Sequence, residues 1–190
     1  CGTKLASDLG ESLVAVLAGS EIKEFAKQAI AYGADTVFTV DDPYFANYRS
    51  DVFVSMMEKL VKKVLPQVLL FGQTSVGRDL APRLAFRLET AVTMDCVDLE
   101  IEPDSKLLLQ TKPVYGGNAL AVYSTELKPQ MASVRVKAMK PLDADTARSG
   151  EIISFPFEIA HDEFKTKIIE KKTEDIDGVG LEAANFVIGG

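Results

Sequence analysis

Residues 72–79 read Gly-Gln-Thr-Ser-Val-Gly-Arg-Asp, the glycine spacing of a phosphate-binding loop. Such a loop continues with a lysine and a serine or threonine, and here Arg78 and Asp79 stand in those places. A carboxylate where a phosphate should sit repels it, so the spacing does not make a phosphate cradle. A helix opening here still presents free N–H groups that suit an anion. Thr74 or Ser75 is placed to cap that helix by accepting from an early N–H. Arg78 and Asp79 then read as a structural pair, or as polar contacts to another segment. Pro82 lies inside the helical pattern and lacks the N–H that would bond back to residue 78, which gives either a local kink or an interaction surface. Arg83 and Arg87 are one turn apart and read as a solvated basic face, or as a face that meets an acidic partner.

Other reactive residue types are sparse. Asp95, Asp98 and Glu100 alternate with apolar residues. A metal would need their oxygens to converge, and a solvated sheet face accounts for them more simply. Gly116-Gly117-Asn118 permits positive φ and makes a turn, or brings backbone close to a ligand. His161 stands alone and reads as a solvated loop residue rather than a triad member. A hydrolase using Ser75 or Thr74 has no base nearby in sequence. Cys1 and Cys96 form neither a disulfide framework nor a metal spacing, which points to reduced thiols. No residue is assigned a catalytic or metal-binding role.

Composition bounds the partners. The chain has 190 residues, 47% of them hydrophobic and 26% charged, as in ordinary globular domains. A net charge of -7 and a pI near 4.8 argue against nucleic acid and against an anionic membrane surface. No run approaches the ~20 apolar residues that span a bilayer. No membrane insertion is expected.

The elements that position these residues alternate. A helix tail over 4–9 stops at Gly10, and an apolar strand covers 13–18. A helix over 21–32 places Ile22, Phe25, Ala26, Ala29 and Ile30 on one face and ends at Gly33. A strand covers 36–40, a helix with inward Val54, Met57, Leu60, Val61 and Val64 covers 51–64, a strand covers 68–71, and a helix covers 75–88. Strand–helix alternation predicts a parallel sheet covered on both faces, with right-handed crossovers. Because the pattern opens on a helix, a strand ahead of Cys1 is expected. After residue 88 the chain turns β-rich. A hairpin joins 92–101 to 106–113 through Pro103-Asp104-Ser105, and short strands follow at 119–123 and 131–136. The fold class is therefore α/β, with a mostly parallel, Rossmann-like and adenine-nucleotide-hydrolase-like sheet carrying helices on both faces. Antiparallel strands are added in the C-terminal half, giving a mixed sheet. Edge strands are expected at 152–159 and 165–171, an acidic linker at 175–180, and a last strand at 185–188 running into Gly189-Gly190.

Four blocks, FGQTSVGRDLAPRLAFRL, AVTMDCVDLEI, LLLQTKPVYGGNALA and KPQMASVRVKAM, occur in this order. Together they strongly resemble the N-terminal domain of electron transfer flavoprotein α subunits, over about residues 5–190. The resemblance implies a domain over 1–172, then a linker and the first strand of an FAD-binding domain over 173–190. It implies a heterodimer with a β subunit, and FAD held mainly by the second domain. Electrons would pass from dehydrogenases, such as those acting on acyl-CoA, to a downstream acceptor. It places the protein in the cytoplasm of a bacterium or archaeon, or in the mitochondrial matrix of a eukaryote. Gly189 and Gly190 match the start of the family's first FAD loop and are the cofactor-binding candidates. The rest of that domain is not in these residues, so the chain alone should bind no flavin. The other reading of the same residues is a stand-alone nucleotide-binding module for AMP, ATP or a flavin at the Gly72 turn.

Overall fold

The computed structural model describes residues 1–158 and 164–172, with 184, 186 and 188 beyond them. The order is α1 (Gly2–Leu9), β1 (Val14–Gly19), α2 (Lys23–Ala31), β2 (Thr36–Asp41), α3 (Ser50–Val64), β3 (Val68–Gly72) and α4 (Ser75–Arg87). There follow β4 (Val92–Cys96), β5 (Asp98–Ile101), β6 (Leu108–Val114), β7 (Ala119–Tyr123), β8 (Gln130–Val134) and β9 (Glu151–Ser154). The helix and strand pattern up to residue 88 is as the periodicity predicts, within a residue or two at each end. Gly10 closes α1 in the left-handed conformation, and Leu65 does the same for α3.

Two three-stranded parallel sheets, β1-β2-β9 and β3-β8-β4, form the centre. Successive side chains of a strand point to opposite faces, and the packing follows that alternation. Val16, Ala18, Leu69, Phe71 and Met131 meet α3 and α4 on one face. Ala15 and Leu17 meet α2 on the other, where Val68, Leu70 and Ala132 meet Leu5 of α1. Helices therefore cover both faces, as expected of a doubly wound sheet.

The C-terminal half departs from the expected mixed sheet in three ways. The stretch 92–101 is not one strand: β4 joins the parallel sheet and β5 pairs antiparallel with β6 in a separate sheet, β5-β6-β7. The break falls at Asp95, whose φ is +66°, inside a register shift between Thr93 and Cys96. The strand near residue 131 is not an antiparallel addition, because β8 inserts in parallel between β3 and β4 and is almost wholly buried. Residues 165–171 form no strand; Thr166 is tied to the start of α3 by hydrogen bonds to Asp51, while Ile169 stays exposed. One helical reading also fails. Phe25 lies outside the buried stripe of Ala26 and Ile30 and is 57% exposed. The linker at 175–180, His161, Gly189 and Gly190 lie outside the described residues, as do residues 185 and 187 of the strand expected at 185–188.

Candidate functional site

Three of the four sequence blocks meet at the carboxyl ends of β3, β8 and β4, the edge where ligands of such sheets sit. The apolar run of β3 ends at Gly72, and α4 starts three residues later. Thr74 is the cap: its Oγ1 accepts from the Gly77 N–H at 3.2 Å. Gly77 lies against the Gly72 carbonyl so closely that a Cβ there would stand 1.9 Å from that oxygen. The glycine spacing that resembles a phosphate loop is thus a packing requirement between strand and helix. Nor do these residues fit the diphosphate of FAD. Thr74 already occupies a first-turn amide, and the Asp79 carboxylate follows in the second turn.

Beside this turn, the Gln73 N–H donates to the Val134 carbonyl at 2.8 Å, tying the turn to β8. Ser133 Oγ donates to Gln73 Oε1 and accepts from the Asp95 N–H at 2.9 Å. The bulge turns the Asp95 carboxylate onto Arg135, whose Nε and Nη2 lie 2.9 and 2.7 Å from its two oxygens. That hydrogen-bonded guanidinium holds the Asp95 carboxyl below its usual range, against the opposing effect of burial. Asp95 is therefore not part of a solvated face with Asp98 and Glu100, which do point outward.

Asp79, Arg83 and Arg87 of α4 find partners within the chain. Asp79 pairs with Arg83, not with Arg78: Arg83 Nε donates at 2.8 Å, and the Tyr48 hydroxyl donates at 2.7 Å. Arg87 reaches Glu58 of α3 at 2.8 Å, and Lys62 reaches the same carboxylate at 2.7 Å. The pair Arg83 and Arg87 thus meets acidic groups of its own fold. Between α3 and α4 they border an open groove of about 1010 Å³ that also includes Pro82 and Phe86. None of Tyr48, Ser133 or Arg135 stood out in the sequence, because their roles arise from contacts 31 to 60 residues apart.

Burial pushes the Cys96 thiol up to about 11, so it stays protonated at neutral pH. Gly116 and Gly117 have φ of +67° and +95° with open space around them, the geometry of a turn. Among the described residues, no three His, Cys, Asp or Glu side chains are grouped to hold a metal ion. Nor is any helix long and apolar enough to cross a membrane.

The Asp79 cluster has a measurable acid signature. Hydrogen bonds from Arg83 and then Tyr48 hold the Asp79 carboxyl below its ordinary value. A carboxyl depressed on folding contributes stability above its unfolded value near ~3.9, and that contribution is lost as pH falls below it. Asp95 acts in the same sense. The unfolding midpoint in urea should be level between about pH 5 and 7 and fall below about pH 4. Tyr48→Phe should cost about 1 kcal/mol at neutral pH and make the acid fall shallower.

The antiparallel sheet presents a surface of different character. The outer face of β5-β6-β7 carries Leu120 and Val122, 65% and 60% exposed, with Tyr115 exposed at the adjoining turn. The register puts Pro113 beside Leu120, and Thr111 and then Asp98 beside Val122, so this face is part apolar and part polar.

The described residues form a doubly wound α/β sheet with an antiparallel side sheet, and ion pairs and hydrogen bonds tie the turn after β3 and the helix α4 to their neighbours. Comparison with known proteins supplies the family. The electron transfer flavoprotein domain matches residues 2–160. An electron transfer flavoprotein subunit alpha from Thermoanaerobacterium thermosaccharolyticum is 39% identical over 188 residues, covering 98% of this chain and 57% of the relative. That of Megasphaera elsdenii is 34% identical over 187 residues, covering 98% and 55%. An acryloyl-CoA reductase electron transfer subunit beta from Anaerotignum propionicum is 32% identical over 209 residues, covering 95% and 57%. The chain belongs to the electron transfer flavoprotein family, on its α-subunit side. It spans about half the length of these relatives.

Proposed function

We propose that this chain is the scaffold and docking part of an electron transfer flavoprotein α subunit. The observation that carries this reading is the likeness to electron transfer flavoprotein α subunits along 98% of the chain, in a fold whose side sheet leaves Leu120 and Val122 exposed. The domain runs over 1–172, and 173–190 form a linker and the first strand of a flavin domain in which Gly189 and Gly190 open the FAD loop. The partner is the β subunit, and the assembled protein carries electrons through FAD from dehydrogenases, such as those of fatty acid β-oxidation, to an acceptor. Its place is the cytoplasm of a bacterium or archaeon, or a mitochondrial matrix. The stand-alone nucleotide-binding reading is less favoured, because Thr74 fills the helix start and Asp79 repels phosphate.

Flavin binding separates the two readings. The 190-residue chain should purify colourless, and titration with FAD, AMP and ATP should give no saturable signal in the micromolar range. A yellow preparation, or micromolar binding of any of the three, would reverse the choice.

A further inference from the structure

The chain does not leave the fold where its last strand ends. After β9, Phe155 is buried and Phe157 packs edge-on against Phe45, with ring centroids 5.7 Å apart. Phe164 then meets the Tyr44 ring at 6.2 Å. Tyr44 and Phe45 are neighbours in the short turn Pro43–Phe45 that follows β2, so both contacts fall on one turn. Two residues after Phe164, Thr166 closes on the start of α3. Its N–H donates to the Asp51 carboxylate at 3.2 Å, and its hydroxyl lies 2.8 and 2.9 Å from the two oxygens of that group. Arg49 Nη1 donates to the Thr166 carbonyl at 3.3 Å, and the same guanidinium lies 3.7 Å from the centre of the Tyr44 ring. Beyond Thr166, Ile168 and Ile169 are exposed.

The sequence at the start of α3 gives this contact its purpose. Arg49 holds the cap position, and an arginine side chain carries donors only, so it bonds no helical N–H. The acceptor comes instead from Asp51 inside the first turn, which accepts from the Val52 N–H at 2.9 Å. Thr166 steadies that carboxylate from 115 residues away. Burial works to raise the Asp51 carboxyl, and hydrogen bonds from Thr166 and Val52 outweigh it and keep the group below its ordinary value. The hydrogen bonds of Thr166 lie at the surface, where each contributes modestly. Further along α3, Val52, Met56 and Leu60 are fully buried. A segment held by a few exposed bonds opens locally at a much lower free energy than such a core.

We propose that Phe164 and Thr166 form a releasable latch on α3, with Asp51 as its catch. Closed, the latch completes the first turn of α3 and fixes the outgoing chain there. Open, it frees the nine residues 164–172, which span about 30 Å when extended, while the sheets and helices stay folded. Trypsin cuts after Lys165 and Lys167, on either side of the latch residue, and on the 190-residue chain it needs the open state to do so. Thr166→Val keeps the shape of the side chain and removes its hydroxyl. It should speed cleavage at these two sites about tenfold, each rate being divided by that of a free peptide of the same sequence, whereas Thr166→Ser should stay within about twofold of the unaltered chain. Asp51→Ala should be at least as fast as Thr166→Val, and the double variant no faster than Asp51→Ala alone. The urea midpoint of Thr166→Val should be unchanged. An unchanged cleavage rate in Thr166→Val, equal rates in the valine and serine variants, additive effects in the double variant, or a midpoint that falls as cleavage rises would overturn the proposal.

Discussion

Gly77→Ala should cost about 4 kcal/mol, more than most substitutions at any site. The atom in the way is the Gly72 carbonyl oxygen, 1.9 Å from where the new Cβ would lie. Backbone cannot rotate aside as a flexible side chain can, so β3 and α4 must separate. That movement breaks the Thr74 cap and strains the Gln73 N–H bond to Val134. It also lifts Leu80 and Leu84 from the core they share with Met131. Against a typical total of about 5–15 kcal/mol this is a large fraction, and soluble yield should fall with it. Urea unfolding should show the midpoint dropping while the slope is unchanged. Gly116→Ala is the control. Nothing lies within 4 Å of its Cβ, and only the positive φ opposes it, at about 1 kcal/mol. Equal losses at the two glycines would remove the packing argument.

The second large effect is expected from Leu84→Ala. Leu84 is 0% exposed and lies in the cluster formed by α3, α4 and Met131. Truncation there removes buried surface and leaves a cavity, for a loss of about 3 kcal/mol. Phe86, two residues on, is 82% exposed, and Phe86→Ala should stay within about 0.5 kcal/mol. Chemical denaturation of the two variants side by side tests which face of α4 meets the sheet. A larger loss at Phe86 would invert that assignment.

Much of this was legible before any coordinates. Leu80, Leu84, Ala85 and Leu88 recur at helical spacing, and the helix packs on them. The apolar runs at β1, β2 and β3 needed only their length and flanking helices to read as parallel strands. What failed depends on distance along the chain. The stretch 92–101 looks continuous in composition, and only the bulge at Asp95, fixed by Ser133 and Arg135 far downstream, divides it between two sheets. The short run in β8 gives no sign that it enters between β3 and β4, since its neighbours are chosen by the core. Phe25 shows the opposite error: an aromatic near a helical stripe reads as core, but its angle on α2 carries it past the sheet. At the site, the glycine spacing was visible and its cause was not. Close packing and phosphate binding ask for the same residue type, and only the approach of Gly77 to Gly72 separates them. Residues 165–171 mislead because loose alternation costs nothing on a surface segment held by Thr166 and Asp51.

The central claim is that this chain docks a β subunit through its exposed side sheet without itself holding the flavin. Co-expression with the β subunit of a close relative, followed by light scattering on the purified material, tests it most directly. The account predicts a one-to-one complex formed by the 190-residue chain. It also predicts that Leu120→Lys weakens that complex at least tenfold while leaving Tm unchanged, since Leu120 is 65% exposed. A chain that stays alone while the full-length α subunit of that relative associates would contradict it.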